Sequence, residues 1–349
     1  MTDRWRDAVV PADTPLLEAI AALDATGLQI LLVVDGAGRL VGTVTDGDVR
    51  RGILAQRPLD GPVAAAMHGT PTTRPAGVAR NEAHRAMRDA RVRQLPLIDG
   101  DGRPAGLELL DDGTTPDRPN AVVIMAGGLG KRLRPLTEEL PKPLLRVGGR
   151  ALLETIIEAF ADHGFRRFFL SVNYRAAQVE EHFGNGARLG VVVEYLREDA
   201  FLGTAGALSL LPDAPADPVV VMNGDILTKV DFGQLVEFHV RTGAEMTMCV
   251  REYDVEVPYG VVEVDGERVT SLVEKPTTHH FINAGIYVLA PELLATITPG
   301  QRLDMTDLAD RILQRGGMLR AFPIREYWLD IGHLEDFERA QADFAEHFR

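Results

Sequence analysis

Residues 121–143 read AVVIMAGGLGKRLRPLTEELPKP, in which a short apolar run is followed by a glycine-rich bend and a basic cluster. Glycines allow backbone N–H groups to approach a ligand closely. Arg132 offers a planar fork for phosphate oxygens, and Lys142 supplies a point charge on a segment that Pro141 and Pro143 stiffen. The stretch therefore predicts a strand, a tight turn and a binding site for an anionic ligand that carries phosphate.

Two widespread phosphate motifs do not fit this bend. A Walker A loop requires G-x-x-x-x-G-K-[ST], but Lys131 is followed by Arg132. A dinucleotide fingerprint requires G-x-G-x-x-G, and Leu133 stands where the third glycine belongs. The remaining interpretation is an anion nest for a triphosphate, and the alternative is a βα turn with solvated basic residues. The nest would consist of the backbone N–H groups of Ala126, Gly127, Gly128 and Gly130.

Strands and helices alternate from Ala121 to Asp225. Apolar strands such as RRFFLSV and DPVVVMNGD are separated by predicted helices such as ALLETIIEAFADHG and GTAGALSLL. Continuous apolar strands between such helices predict an α/β domain whose mostly parallel sheet is covered on both faces. The segments AEMTMCVREY, YGVVEVDGERVTSLVEKP and FINAGIYVLA predict antiparallel strands added to that sheet, and two helices close the chain.

The composition excludes several classes of protein. The chain has 349 residues, a net charge of −14 and one cysteine, Cys249. Its length allows two domains, and its negative charge argues against nucleic acid or an anionic membrane as a partner. A single cysteine excludes a disulfide framework, and the apolar run around Cys249 predicts a buried thiol. No signal peptide and no apolar run of about 20 residues is visible, so we expect a cytoplasmic protein.

The first third of the chain contains an internal repeat. LQILLVVDGAGRLVGTVTDGD (residues 28–48) and RQLPLIDGDGRPAGLELLDD (residues 93–112) share the order strand, DGxG turn, strand and acidic end. Each copy follows a segment with helical periodicity, which predicts two packed half-modules. A stretch rich in Gly, Thr, Pro and Asp then precedes Ala121. We therefore expect a module over residues 1–115, a linker over 116–120 and a second domain over 121–349.

The repeat resembles a tandem pair of cystathionine-β-synthase (CBS) domains. In that family a Thr or Ser three residues before an Asp holds the ribose of an adenosine-type ligand. The resemblance implies that Thr45 and Asp48 hold an adenine or guanine nucleotide in the first copy. In the second copy Leu109 replaces the hydroxyl residue, although Asp112 is retained. The alternative is a structural or dimerising module without a ligand.

The second domain resembles the sugar-1-phosphate nucleotidyltransferases. The resemblance rests on seven motifs in the family's order over about 230 residues: MAGGLGKRLRPLTEELPKPLLRVGGRALLE, LGTAGAL, MNGD, YGVVE, EKP, NAGIY and WLDIG. It implies a Rossmann-like mixed α/β sheet. It also implies a reaction in which a sugar-1-phosphate oxygen attacks the α-phosphorus of an NTP and pyrophosphate leaves.

The resemblance also assigns roles to single residues. Asp225 and Asp330 match the aspartates that bind Mg²⁺. Arg132 would hold the pyrophosphate, Lys142 would act at the α-phosphate and Lys275 would meet the phosphate of the sugar 1-phosphate. The expected sugar contacts are Gly260, Glu274 and Asn283. No general base is expected, because the attacking phosphate oxygen is already ionised.

The nucleotide base is predicted from the residue five positions before Gly203. Gly203 matches the family glycine that approaches the base and ribose, and Thr204 is expected to join it. Members that use UTP or dTTP carry Gln at the earlier position, whereas this chain has Glu198. A carboxylate only accepts hydrogen bonds, which suits guanine with its adjacent N1–H and 2-amino donors. We therefore predict GTP, with Asp199 as a competing candidate for the base contact.

The sequence leaves several alternatives open for the sugar and for the oligomeric state. A CBS pair before such a domain resembles the guanylyltransferases that make GDP-glucosamine on the route to legionaminic acid. Mannose, heptose and cyclitol phosphates stay open as alternatives, as do UTP, dTTP and CTP. A nucleotide-sensing protein whose transferase domain only binds is the alternative from outside the enzymes. CBS pairs commonly associate, so the resemblance also predicts a homo-oligomer.

Overall fold

The computed structural model describes residues 3–90, 92–109 and 117–348. The chain divides into two compact units, Met1–Thr114 and Thr115–Arg349. Among the described helices, none is both long and apolar enough to cross a membrane.

The N-terminal unit contains two three-stranded sheets of the same design. In each sheet the first strand runs parallel to the second, and the second runs antiparallel to the third. The repeat predicted from the sequence therefore has a structural counterpart, although Asp112 lies outside the described residues. The strands are β1 (Val9–Pro11), β2 (Ile30–Val34), β3 (Leu40–Thr45), β4 (Arg74–Pro75), β5 (Gln94–Ile98) and β6 (Pro104–Leu109). The helices are α1 (Leu16–Thr26), α2 (Asp46–Leu54) and α3 (Arg80–Ala90), with 3₁₀ turns at Asp3–Ala8 and Val63–Ala65.

The C-terminal unit is built on a seven-stranded mixed sheet. Its strand order is β11-β10-β7-β12-β17-β14-β18. The first four strands in that order are parallel, β17 is antiparallel to both of its neighbours, and β18 is parallel to β14. The strands are β7 (Arg118–Met125), β10 (Phe165–Val172), β11 (Val192–Arg197), β12 (Val219–Asn223), β14 (Met246–Glu256), β17 (Thr277–Leu289) and β18 (Leu319–Ile324).

Three short strand pairs and seven helices complete this unit as described. The pairs are β8 (Arg146–Val147) with β9 (Arg150–Ala151), β13 (Ile226–Thr228) with β19 (Trp328–Asp330), and β15 (Val261–Asp265) with β16 (Arg268–Val273). The helices are α4 (Leu152–Asp162), α5 (Ala176–Phe183), α6 (Gly203–Gly206), α7 (Phe232–Thr242), α8 (Pro291–Leu294), α9 (Met305–Gln314) and α10 (Leu334–His347).

Both faces of the large sheet are buried, as its continuous apolar strands predict. Val122 and Ile124 of β7 belong to one core cluster, whereas Ala121 and Val123 belong to another. Neighbouring residues of a strand point to opposite faces, so the two clusters cover the two sides of the sheet. Cys249 is fully buried in the first cluster, in agreement with the prediction.

Three local predictions differ from the structure. YGVVEVDGERVTSLVEKP does not extend the large sheet, because β15 and β16 pair only with each other around the turn at Gly266. The helix predicted over GTAGALSLL is one α-helical turn followed by a 3₁₀ turn at Ala207–Leu210. Residues 118–120, predicted as linker, form the start of β7. We call residues 251–282, which are mostly exposed, the arm.

Candidate active site

The site forms where the parallel strands β7 and β12 end side by side. The N–H of Gly224 donates to the carbonyl of Met125 over 3.0 Å. A Cβ atom at Gly224 would lie 2.7 Å from that carbonyl oxygen, so glycine is required at this approach. The contact holds the segment that carries Asp225 against the start of the glycine-rich loop. Ligands of open α/β sheets bind at this carboxyl edge.

Two carboxylates meet at a pair of short antiparallel strands. The register pairs Ile226 with Asp330, and the N–H of Ile331 donates to the carbonyl of Asp225 over 2.9 Å. One side-chain oxygen of each acid, Oδ1, is buried and has no hydrogen-bond partner. Burial raises the pKa of Asp330, and the neighbouring charge of Asp225 raises it further. Two close carboxylates with unpartnered oxygens fit a divalent cation that prefers oxygen ligands.

Two cations accompany the acids. Nζ of Lys142 lies 2.6 Å from Oδ2 of Asp225, and its side chain is only 12% exposed. The guanidinium of Arg132 packs near Gly332, where an added Cβ would lie 3.5 Å from Nη1. The positive charges of Lys142 and Arg132 lower the pKa of Asp330, against the two effects that raise it. Four residues predicted from three motifs are therefore neighbours in space.

One residue of the site was not predicted. Nη1 of Arg132 lies 3.4 Å from Nε2 of His333, which immediately precedes α10. Both side chains are exposed. His333 follows Asp330 by three residues in the sequence, and this closeness to a predicted site residue is the signal that could have identified it.

The glycine-rich loop offers backbone donors beside these side chains. In the part of the chain that the structure describes, the N–H groups of Gly128, Leu129 and Gly130 have no protein acceptor. Gly130 has a φ of +59°, and its carbonyl accepts a 2.7 Å hydrogen bond from the hydroxyl of Thr137. Unpaired N–H groups on a bent backbone are the donors that an anion nest requires. The N–H of Ala126, which was also expected in the nest, instead donates to the carbonyl of Ser171 over 2.9 Å. The nest stays a prediction, and its available donors lie from Gly128 to Gly130.

The Glu198 carboxylate lies beside this loop and is held by two donors. The hydroxyl of Ser171 donates to Oε1, and the N–H of Leu202 donates to Oε2 over 2.8 Å. A Cβ atom at Gly127 would lie 3.3 Å from Oε1, so the loop backbone passes close to the carboxylate. Each carboxylate oxygen has two lone-pair sites, so each keeps one for a ligand. Asp199, the competing candidate, is exposed.

Gly203 and Thr204 have structural roles that the sequence did not reveal. Gly203 has a φ of +79°, and a Cβ there would lie 2.6 Å from the carbonyl oxygen of Leu303. The hydroxyl of Thr204 accepts a 2.8 Å hydrogen bond from the N–H of Met305 at the start of α9. The glycine is therefore required for packing, and the threonine hydroxyl satisfies a helix-terminal N–H.

The predicted sugar contacts lie on or beside the arm. A Cβ at Gly260 would lie 3.1 Å from Oε2 of Glu274, so these two residues are neighbours. Lys275 is exposed and has a φ of +45°. The amide of Asn283 donates to the hydroxyl of Tyr287 over 2.7 Å. In the described residues, no recorded hydrogen bond or ion pair joins this group to the acid pair.

Thr45 and Asp48, the predicted ligand residues of the N-terminal unit, bond to each other. Both the N–H and the hydroxyl of Thr45 donate to Oδ2 of Asp48, over 2.8 and 2.6 Å. Arg51 pairs with the other carboxylate oxygen. The arrangement is a capping box at the start of α2, which satisfies helix-terminal N–H groups by itself.

Protein-family models match part of each unit. The nucleotidyl transferase family model matches residues 121–347, and the CBS domain model matches residues 4–55. The mannose-1-phosphate guanylyltransferase of Mycobacterium tuberculosis is 34% identical over 228 residues, which are 63% of each chain. The catalytic subunit beta of the Drosophila melanogaster mannose-1-phosphate guanylyltransferase is 36% identical over 222 residues, 62% of this chain and 60% of that one. The chain thus spans 60–63% of the length of these curated relatives.

Solved structures are also similar to part of this chain. HddC from Yersinia pseudotuberculosis, in its complex with GMP-PN, matches with 28% identity and a TM-score of 0.51. The match covers 64% of this chain and 99% of HddC.

Proposed function

Because the chain belongs to the nucleotidyl transferase family, whose model matches residues 121–347, we propose that it transfers GMP from GTP to a sugar 1-phosphate. The products are a GDP-sugar and pyrophosphate. An oxygen of the sugar phosphate forms a bond to the α-phosphorus, and the bond from that phosphorus to the bridging α,β-oxygen breaks. No proton has to be removed, because the attacking oxygen is already ionised.

The observation that carries the proposal is the cluster of two acids and two cations. Asp225 and Asp330 each present a buried oxygen without a partner, while Lys142 and Arg132 flank them. We assign Mg²⁺ as the cation that the two carboxylates hold, since Mg²⁺ is bound through one or two carboxylates plus substrate phosphates. When bound, it would neutralise the negative charge of the phosphates. Phosphoryl transfer depends mainly on such positioning and charge neutralisation.

The cations have separate tasks in this scheme. Arg132, near the exposed side of the site, holds the departing pyrophosphate with its planar fork. Lys142 sits against Asp225 and is the cation nearest to the acid pair, so it stabilises charge at the α-phosphate. Lys275 binds the phosphate of the sugar 1-phosphate from the arm. Gly260, Glu274 and Asn283 contact the sugar hydroxyls.

Guanine is supported by the fixed carboxylate of Glu198. Ser171 and Leu202 orient it, and it retains one lone pair on each oxygen for the two adjacent donors of guanine. Relatives named guanylyltransferases and the HddC complex with GMP-PN support the same base. Mannose 1-phosphate is the first acceptor to test because it stands in the relatives' names, and glucosamine 1-phosphate is the second. Heptose and cyclitol phosphates are further acceptors of the same chemistry.

The N-terminal unit is proposed as a regulatory or assembly module in a homo-oligomer. Its CBS match covers residues 4–55, and the second half repeats the strand order of the first. An adenine or guanine nucleotide is the proposed ligand beside Thr45 and Asp48.

The test is a pyrophosphate-release screen of GTP, UTP, dTTP and CTP against mannose, glucosamine, heptose and cyclitol 1-phosphates. Each pair is run with Mg²⁺ and with a chelator. We expect release with GTP and one or more acceptors, dependence on Mg²⁺, and loss in Asp225→Asn. Saturable nucleotide binding without release in any pair would instead support a sensor whose transferase domain only binds.

A further inference from the structure

A second cavity lies in the C-terminal unit outside the proposed active site. Its volume is about 680 Å³, within the range of about 300–1,000 Å³ that is usual for small-molecule sites. It lies among α5, the first turn of α4, the 3₁₀ turn at Ala187–Leu189 and residues 140–146. The lining contains neither acid of the pair, nor Arg132, Lys142 or Glu198.

Two buried polar atoms of the lining have no hydrogen-bond partner, namely Oε1 of Gln178 and Nε2 of His182. The Gln178 amide nitrogen donates to the carbonyl of Glu139 over 3.2 Å, which sets the orientation of the amide. Nε2 of His182 is 3.7 Å from the Glu154 carboxylate, beyond hydrogen-bond distance. A buried polar group without a partner destabilises the fold, because it has lost its hydrogen bonds to water and gained none in return. At the acid pair, atoms of this kind mark a place for a bound group, and the same argument applies to this cavity.

The lining holds two arginines and two glutamates, so the feature that favours an anion is the position of one arginine and not a net charge. Arg188 pairs with Glu154, and although burial acts to raise the pKa of that carboxyl, the Arg188 hydrogen bond and charge bring it below its ordinary value. Glu154 is therefore ionised and committed to Arg188. Arg146 is exposed, donates once to a backbone carbonyl over 3.2 Å, and has no carboxylate partner among the described residues. Its guanidinium is a free donor group for phosphate oxygens.

We propose that this cavity binds a sugar phosphate that is not the substrate, with the phosphate at Arg146 and His182. The sugar hydroxyls donate to Oε1 of Gln178 and to the exposed carboxylate of Glu181. This assignment uses each unpartnered group of the lining in the role that its chemistry allows. Binding at this cavity does not depend on the proposed function.

The position of the cavity makes the bound sugar phosphate an effector. Leu140 and Leu144 line the cavity and flank Lys142 on both sides along the chain. Lys142 starts a 3₁₀ turn that ends at Leu144, and Leu140 precedes the lysine by two residues, so both leucines belong to the segment that carries it. A ligand that packs against them restricts the segment and thereby the lysine beside Asp225. This second part rests on the proposed function of Lys142.

Binding is tested by isothermal titration calorimetry of the full chain without nucleotide or Mg²⁺. The probes are glucose 6-phosphate, mannose 6-phosphate and fructose 6-phosphate, which lack an anomeric phosphate. We expect saturable binding of at least one probe with one site per chain. Arg146→Gln and Gln178→Leu should each weaken it at least tenfold, whereas Arg320→Gln, which removes an exposed guanidinium elsewhere in the unit, should not. Absence of binding by all three probes, or equal affinities in the cavity variants and wild type, overturns the proposal.

The link to Lys142 is tested by hydrogen exchange with the probe that binds. We expect slower amide exchange over residues 139–146 in wild type, and no slowing in Arg146→Gln at the same probe concentration. Binding with unchanged exchange in this segment overturns the effector role and leaves the binding site intact. Because neither measurement involves catalysis, a failed pyrophosphate-release screen and a failed cavity proposal are distinguishable.

Discussion

Replacing Glu198 with Gln tests the prediction that the nucleotide base is guanine, and the substitution should leave the fold intact. Oε2 accepts from the N–H of Leu202, and that donor cannot change its role. The new amide must therefore turn its oxygen towards Leu202 and its NH₂ group towards Ser171. The Ser171 hydroxyl, which donates to Oε1 in this structure, can rotate and accept instead. Both local hydrogen bonds survive, so we expect a change in unfolding free energy below about 1 kcal/mol.

The effect on guanine is larger because an acceptor becomes a donor. In the proposed complex, the substitution would remove one oxygen that faces the N1–H and 2-amino edge of guanine and would place an NH₂ group opposite one of those donors. A hydrogen bond to a charged group contributes about 1.5–3 kcal/mol, which corresponds to roughly a 10- to 150-fold fall in kcat/KM for GTP. ITP lacks the 2-amino group, so its kcat/KM should fall less in Glu198→Gln than that for GTP. UTP should lose nothing, since a glutamine amide complements a pyrimidine imide.

The assay is pyrophosphate release with GTP, ITP and UTP at a fixed acceptor concentration. Asp199→Asn is the matched control, because it removes the neighbouring carboxylate, which is exposed. It should leave the ratio of GTP to UTP unchanged. An equal loss for all three nucleotides in Glu198→Gln would mean that the carboxylate only supports the loop. A loss of GTP preference in Asp199→Asn instead would assign the base contact to the neighbouring residue.

Three further predictions concern stability. Burial raises the pKa of Asp330 in the folded state, so the folded state binds this proton more tightly than the unfolded state does. The stability of the metal-free protein therefore falls as the pH rises from the ordinary pKa through the raised one. Asp330→Asn should lose this pH dependence and melt at a higher temperature at pH 7, and a lower melting temperature would contradict the account. Gly203→Ala should destabilise the C-terminal unit by more than about 2 kcal/mol in urea unfolding, because the new Cβ would lie 2.6 Å from a backbone carbonyl oxygen. Gly128→Ala is the control and should not destabilise the unit in this way, because no atom lies within 4 Å of its Cβ position. Thr45→Ala removes the hydroxyl partner of Asp48 and should lower the stability of the N-terminal unit by about 1 kcal/mol in thermal unfolding, and an unchanged transition would remove the capping role.

The strands of the large sheet were predictable because they are buried on both faces, and such strands have continuous apolar sequences. The same signal is missing from the arm, where VVEVDGERVTSLV alternates like a sheet strand but is exposed. Its pairing is local, through the turn at Gly266, so nothing in the pattern states that it stays apart from the large sheet. A helix was predicted over GTAGALSLL, but the change from α to 3₁₀ geometry was not. At that change the N–H groups of Ala205 and Gly206 donate to the carbonyl of Leu303, about 100 residues away, a contact that the local pattern does not reveal.

Within the site, the sequence identified residues and could not identify their partners. Lys142 was expected at the α-phosphate, and its ion pair with Asp225 joins motifs 83 residues apart. Ser171 is buried in a strand and looks like any small core residue, yet its hydroxyl orients Glu198. Such contacts arise from strand order and register, which sequence periodicity does not encode. Thr204 was expected to contact the nucleotide, but its hydroxyl accepts a hydrogen bond from the N–H of Met305 at the start of α9.

The charge balance of the site implies how a triphosphate enters it. The two carboxylates cancel Lys142 and Arg132, so these four side chains offer no net positive charge to an anion. The whole chain, at −14, adds no favourable field. A nucleotide without a metal would therefore meet two acids whose buried oxygens already lack donors. A divalent cation changes the local sum by two charges and satisfies those oxygens, so we expect GTP to bind together with the cation. The loop N–H groups then supply the remaining donors without adding a charge that would have to be desolvated.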